Sequence, residues 1–220
     1  MEQTILTPSQ SIVLELAQKE PNITDWFYFT GGTALAEFYL KHRLSEDLDF
    51  FTRSQVNVAH TDAFVAACMQ KLSAKELKKK PISGLMMYSL TLPDSSILKI
   101  DFNEYDFPEV EKGKRAGNLW IDSLYDISVN KLNTVLSRSK ARDFVDLYFC
   151  LEAEGCSLEQ LFDRVLDKFD VTFEETTIVN QFNKIQDLTD YPTMLVPFDK
   201  NKMIDFFLAE AKKLEPRIFK

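Results

Sequence analysis

Two adjacent glycines in a chain with only six, followed by two aspartates spaced two apart, are the residues whose types and spacing suggest chemistry. Gly31, Gly32 and Thr33 follow the apolar run Trp26 to Phe29, which reads as a short buried strand. Thr33 to His42 then carries Leu35, Phe38 and Tyr39 at helical spacing, and Asp47, Leu48, Asp49, Phe50 and Phe51 return to strand character. Glycines let backbone N–H groups approach an anion, and the first unpaired amides and the dipole of a helix favour its charge. A strand, a Gly-Gly turn and a helix start therefore form a phosphate cradle. On an extended strand the carboxylates of Asp47 and Asp49 leave the same face, where they repel unless a cation lies between them. Oxygen-only donors of this kind suit Mg²⁺, which takes carboxylates together with substrate phosphates. The order of cradle, helix and carboxylate pair points to nucleotide chemistry.

A third carboxylate comes from farther along. Leu85 to Leu92 and Ile97 to Phe102 alternate around Pro93-Asp94-Ser95-Ser96, the composition of a β-hairpin turn. Asp101 shares a face with Ile97 and Lys99, and a carboxylate there calls for a partner, the metal of Asp47 and Asp49 being the obvious one. Lys131 and Arg138, seven apart, fall on nearly the same face of a continuous helix, as a stripe that would neutralise a triphosphate or as ordinary surface charges. Asp143 and Asp146 are three apart; one fits a helix start while the other pairs with Lys140 or Arg142. Tyr88, Trp120 and Tyr125 read as core rather than as platforms for bases. Lys78-Lys79-Lys80 reads as a solvated strand or an edge guard.

These residues need elements to hold them. Ser9 or Ser11 would cap a first helix to about Glu20, and a second covers His60 to Leu72. Beyond Leu124 the pattern is helical over Ile127 to Ser137, Ala141 to Glu154, Ser157 to Phe169, Glu174 to Leu188 and Asp199 to Leu214. The expected architecture is α/β (α+β): a mixed sheet with flanking helices over residues 1–120, then a helical lobe over 121–220 that completes the nucleotide site. A chain of 220 residues buries a real core, and a net charge of −8 argues against broad capture of nucleic acid while leaving room for a local basic groove. Cys68, Cys150 and Cys156 have no metal-type spacing and read as reduced thiols, and His42 and His60 are too few for a zinc site. No basic-then-apolar leader and no membrane-length run appears, so the expected location is the cytoplasm, away from membranes.

GGTALAEFYLKHRLSEDLDFF, LKIDF and DISVNKLNTVLSRSKARDFVDLYFCL together resemble the AbiEii/AbiGii-type nucleotidyltransferase toxins, relatives of the MenT toxins in the polymerase-β-like superfamily. The resemblance covers about Ser9 to Glu154. It implies that Gly31, Gly32 and Thr33 hold nucleotide phosphates, with Thr33 where the superfamily usually has Ser. It implies that Asp47, Asp49 and Asp101 bind metal and catalyse, and that Lys131 reaches the triphosphate. Arg43 and Ser45 match the R-x-S before the Asp pair, with Ser45 on the nucleotide. Asp143 and Asp146 match the last motif; which of the two faces the site stays open. The implied activity is Mg²⁺-dependent transfer of NMP from an NTP to a hydroxyl, with two ions and with Mn²⁺ able to substitute. The implied setting is a toxin–antitoxin or phage-defence (abortive infection) pair, with a winged-helix DNA-binding antitoxin as partner and tRNA as leading acceptor. The competing readings are the same chemistry on a protein or small-molecule hydroxyl, and a non-catalytic binding module.

Overall fold

The computed structural model describes residues 4–218. They form two compact units: one holds the chain up to Pro108 together with Lys112–Ser123, the other Glu109–Glu111 and the chain from Leu124 on.

The first unit is built on a seven-stranded mixed sheet. Its strands are β1 (Tyr28–Thr30), β2 (Asp47–Thr52), β3 (Glu76–Ile82), β4 (Leu85–Thr91), β5 (Ile97–Glu104), β6 (Lys114–Ala116) and β7 (Leu119–Ile121), in the spatial order β3-β4-β5-β2-β1-β7-β6. Strand β2 runs antiparallel to β1 and parallel to β5, and β1 runs parallel to β7. The alternation in β2 sorts its side chains: Leu48, Phe50 and Thr52 are buried, while Asp47, Asp49 and Phe51 are half-buried on the opposite face. On the buried face Phe50 stacks on Phe102 at 5.2 Å and meets Phe29 at 5.3 Å, and Phe64 of α4 (Val58–Leu72) closes over both Phe50 and Phe102. Helices α1 (Pro8–Ala17) and α2 (Pro21–Thr24) pack against α4. One sheet face is thus roofed by helices, and the other carries the aspartates.

Several local expectations shift. Helix α1 is capped by Thr7, not by Ser9 or Ser11, through a reciprocal bond with Gln10 and with Pro8 in the first turn. Trp26 is 55% exposed and precedes the strand rather than opening it. The run Lys78 to Lys80 holds to expectation: it lies on β3, the exposed edge strand, where it guards the unpaired edge.

The second unit comprises α5 (Leu124–Ser137), α6 (Ala141–Glu154), α7 (Leu158–Phe169), α8 (Glu175–Asn183) with a 3₁₀ turn to Asp187, and α9 (Lys200–Ile218). Gly155, at φ +62°, ends α6, and Ser157 with Gln160 caps α7. Phe144, Phe182 and Phe207 meet edge to face at its centre, 5.0 and 5.3 Å apart. The segment Glu109–Glu111 is held by Asp126, whose carboxylate accepts the amides of Val110 and Glu111 and pairs with buried Lys168 at 2.5 Å. No described helix is long and apolar enough to cross a membrane.

Candidate active site

The glycine turn sits where β1 ends. Gly31 has φ +76°, and a side chain there would collide with the carboxylate of Asp49, so both conformation and space demand glycine. A Cβ on Gly32 would press on the Arg43 guanidinium at 2.5 Å and the Ser45 hydroxyl at 3.1 Å. The helix that follows is shorter than the pattern suggests. Five α-helical residues, α3 (Gly31–Leu35), widen into a π-helical turn over Ala36–Leu40 that Lys41 ends in the left-handed region. Thr33 is buried, and its hydroxyl donates to the main-chain carbonyl of Asp47. The hydroxyl expected on phosphate therefore fixes the start of β2. Gln10 Nε2 donates to the Ser45 and Glu46 carbonyls at 2.8 and 3.1 Å, and buried Arg43 donates to the Leu44 carbonyl at 2.8 Å, so the stretch leading into Asp47 is held from both sides.

Sheet register gathers the carboxylates. Asp49 lies opposite Asp101 on β5 and opposite Thr30 on β1, while Asp47 lies opposite Lys99. Directly opposed residues share a face, so Asp47, Asp49 and Asp101 stand together beside the glycine turn. Thr30 extends the row: its hydroxyl donates to Asp122 Oδ2 at 2.7 Å, and the Asp122 amide donates to the Phe29 carbonyl. Thr30 and Asp122 escaped the sequence reading; their only signals are a hydroxyl just before Gly-Gly and an acid just after a short apolar strand.

Burial first, and then the charge of Asp47, push the Asp101 carboxyl up to about 6, against the opposing pull of Lys99. Lys99 Nζ is 3.3 Å from Asp47 Oδ1. Asp101 Oδ1 is buried and accepts no hydrogen bond among the described residues. The side-chain ends diverge, Asp47 leaning to Lys99 and Asp49 to the glycine turn, and no group of three His, Cys, Asp or Glu side chains among the described residues is gathered closely enough to cage an ion. The donor chemistry nevertheless fits a hard dication: all donors are carboxylate oxygens, and one of them is buried without a donor of its own.

In the helical unit, Lys131, Arg138, Asp143 and Asp146 form one network. Lys131 Nζ is 2.9 Å from Asp143 and 2.6 Å from Asp146, and Arg138 Nε is 2.8 Å from the other oxygen of Asp143. Both aspartates are fully buried and Lys131 is 9% exposed. Burial pushes the Asp143 carboxyl up, but Lys131 and Arg138 outweigh it and hold it below the usual range. Of the two basic residues that spacing offered as partners, Lys140 lies 3.6 Å from Asp190. Tyr88 is core, donating to Asp62 at 2.7 Å, whereas Trp120 is half-exposed beneath the Arg115 guanidinium at 4.4 Å.

Comparison with known proteins places this geometry. Residues 16–210 match the family described as "Nucleotidyl transferase AbiEii toxin, Type IV TA system". A protein of Aquifex aeolicus, aq_aa25, is 32% identical over 146 residues, which are 65% of this chain and 66% of that relative, so the chain spans just under two thirds of its length. Among solved structures, a candidate nucleotidyltransferase from H. pylori aligns over 96% of this chain and 97% of its own, with TM-score 0.59 and 18% identity. JHP933 from Helicobacter pylori aligns over 94% of each chain, with TM-score 0.55 and 18% identity. At such identities these two attest the fold; the family match, running through the glycine turn, the acid row and the lysine network, goes further. The chain belongs to the AbiEii family of nucleotidyltransferase toxins.

Proposed function

We propose that the protein transfers NMP from an NTP to a hydroxyl of RNA, with a tRNA 3′ end as the leading acceptor, using divalent metal at Asp47, Asp49 and Asp101. The observation that supports this most is the register that sets Asp49 opposite Asp101 and next to Gly31. When bound, a dication there supplies charge for the α-phosphate and for departing pyrophosphate. The acceptor oxygen bonds to the α-phosphorus, the bond from that phosphorus to the bridging oxygen breaks, and pyrophosphate leaves. Asp101, beside the acceptor hydroxyl, would take its proton. The main-chain amides at Gly31 and Gly32 face the phosphates. Thr33 contributes by fixing Asp47.

Lys131 is a weaker candidate for the triphosphate than its motif implies. Its ammonium is already engaged by two buried carboxylates, and we assign Lys131, Arg138, Asp143 and Asp146 first to holding α5 against α6. In the cell the protein would act as the toxin of a pair, beside an antitoxin of the winged-helix DNA-binding type.

The test is incubation of purified protein with total tRNA, Mg²⁺ and each α-³²P-labelled NTP in turn. Label on tRNA that is absent with Asp49→Ala supports the assignment. Label on protein alone moves the acceptor, and equal toxicity of wild type and Asp49→Ala in cells, without transfer, returns the chain to a binding module.

A further inference from the structure

The face that carries the acid row also carries a row of rings. Tyr28 lies opposite Phe51 on one side and opposite Trp120 on the other, so Trp120, Tyr28 and Phe51 form a cross-strand row over β7, β1 and β2. It lies two residues along the strands from Thr30 and Asp49, about 7 Å away. The rings continue outward: Tyr28 to Phe51 at 6.0 Å, Phe51 to Tyr105 at 4.8 Å and Tyr105 to Phe107 at 4.9 Å. All five side chains are half-buried, keeping edges or faces open. Exposed cations stand on them: Arg115 over Trp120 at 4.4 Å, Lys112 over the same ring at 5.3 Å, and Arg53 over Tyr28 at 5.7 Å, with its Nε donating to the Phe107 carbonyl. A sheet face meant only for water has no need of five rings, and a face meant only for packing has no need of three cations on them. Stacking surfaces interleaved with cations are how single-stranded nucleic acid is held without reading its sequence.

Position along the strands adds direction. The glycine turn lies beyond the Thr30 end of β1, and the rings lie on the other side of the acid row. In an in-line displacement the attacking and leaving oxygens stand on opposite sides of the phosphorus. A triphosphate at the turn directs its pyrophosphate that way, and the acceptor must then approach from the ring side. We propose that Trp120, Tyr28, Phe51, Tyr105 and Phe107, with Arg53, Lys112 and Arg115, bind the single-stranded 3′ end of the acceptor RNA by base stacking and phosphate contact. This deepens the proposed function and rests on it for the direction of approach.

The chain has two tryptophans, so Trp26→Phe leaves Trp120 as the sole reporter. That protein is titrated with an oligoribonucleotide of about a dozen nucleotides bearing a free 3′ hydroxyl, without NTP. Saturable quenching of Trp120 is expected. Lys112→Glu with Arg115→Glu, both exposed positions, in protein whose unfolding midpoint matches wild type, should weaken RNA binding about tenfold or more and raise KM for RNA while KM for NTP moves less than about twofold. Quenching by NTP and not by RNA assigns the rings to the incoming base and overturns the proposal. So does unchanged RNA affinity in the charge-reversed protein, or transfer to a protein acceptor with no RNA binding. Failure of the transferase reading is separable: RNA that binds the wild-type rings but receives no label with any NTP leaves the strip standing and removes the chemistry.

Discussion

Asp101→Asn should make the metal-free protein more stable at neutral pH while abolishing transfer. Burial and the nearby Asp47 raise the Asp101 carboxyl from the ordinary 3.8 to about 6. Between those two values the unfolded chain has lost the proton that the folded chain still holds, so stability falls as pH rises through this window and stays reduced above it. Taken in full the shift corresponds to about 3 kcal/mol. Because solvent reaches this carboxyl, screening reduces the expected contribution to about 1–1.5 kcal/mol. Asn matches the neutral acid in shape without the charge. Urea denaturation in EDTA should therefore show Asp101→Asn about 1 kcal/mol more stable than wild type at pH 7.5, with the difference vanishing near pH 4. Added Mg²⁺ should stabilise the wild type and not the variant, reversing the order. A variant that is less stable at both pH values, or a gap that does not change with pH, would refute the view that Asp101 is held as a buried, ligand-seeking acid.

Other substitutions probe the remaining parts. Gly31→Ala places a side chain at φ +76° against the Asp49 carboxylate; a loss of about 1–3 kcal/mol by thermal or urea unfolding is expected, with transfer lost more completely than fold. Lys131→Met removes the cation shared by two fully buried carboxylates, so unfolding should be easier by about 3–5 kcal/mol. Preserved stability with a raised KM for NTP would instead give Lys131 to the triphosphate. Lys168→Met removes the cation paired with buried Asp126 and should cost a similar amount, about 3–5 kcal/mol, with protease sensitivity appearing around Glu109–Glu111. Thr33→Val is close to isosteric but deletes the bond to the Asp47 carbonyl; about 1 kcal/mol of stability and a lower kcat at unchanged NTP KM are expected.

The helical unit was legible because its apolar positions repeat at helical spacing and its ends carry Ser157 and Gly155; α6 matches its expected span of Ala141 to Glu154. The β4–β5 hairpin was legible from its turn. Strand β3 was legible only in part: Lys78-Lys79-Lys80 reads as a solvated strand or edge guard, but every residue in Glu76–Ile82 is exposed and no alternation marks its extent. Strands β6 and β7 are three residues each, too short for a period. Within the site, the aspartates could be chosen from the sequence, but their adjacency comes from parallel pairing of β2 with β5 across an intervening helix and two strands, which no local pattern encodes. The pairing of Lys131 with Asp143 and Asp146 likewise comes from two helices packing, whereas spacing alone favoured Lys140 and Arg142. Thr33 shows a further limit: the motif identifies the hydroxyl, and only the fold shows that it is spent on Asp47. Trp120 read as core because isolated aromatics usually are; its place in a cross-strand row is a property of register.

The central claim is that one sheet face gathers Asp47, Asp49 and Asp101 to hold a dication beside the glycine turn. Crystals soaked in Mn²⁺ with a non-hydrolysable NTP test it directly by anomalous scattering. The account predicts a peak bonded to Asp49 and at least one of Asp47 and Asp101, with the triphosphate at Gly31 and Gly32. A saturating soak that leaves these carboxylates without metal while the nucleotide binds elsewhere would contradict it.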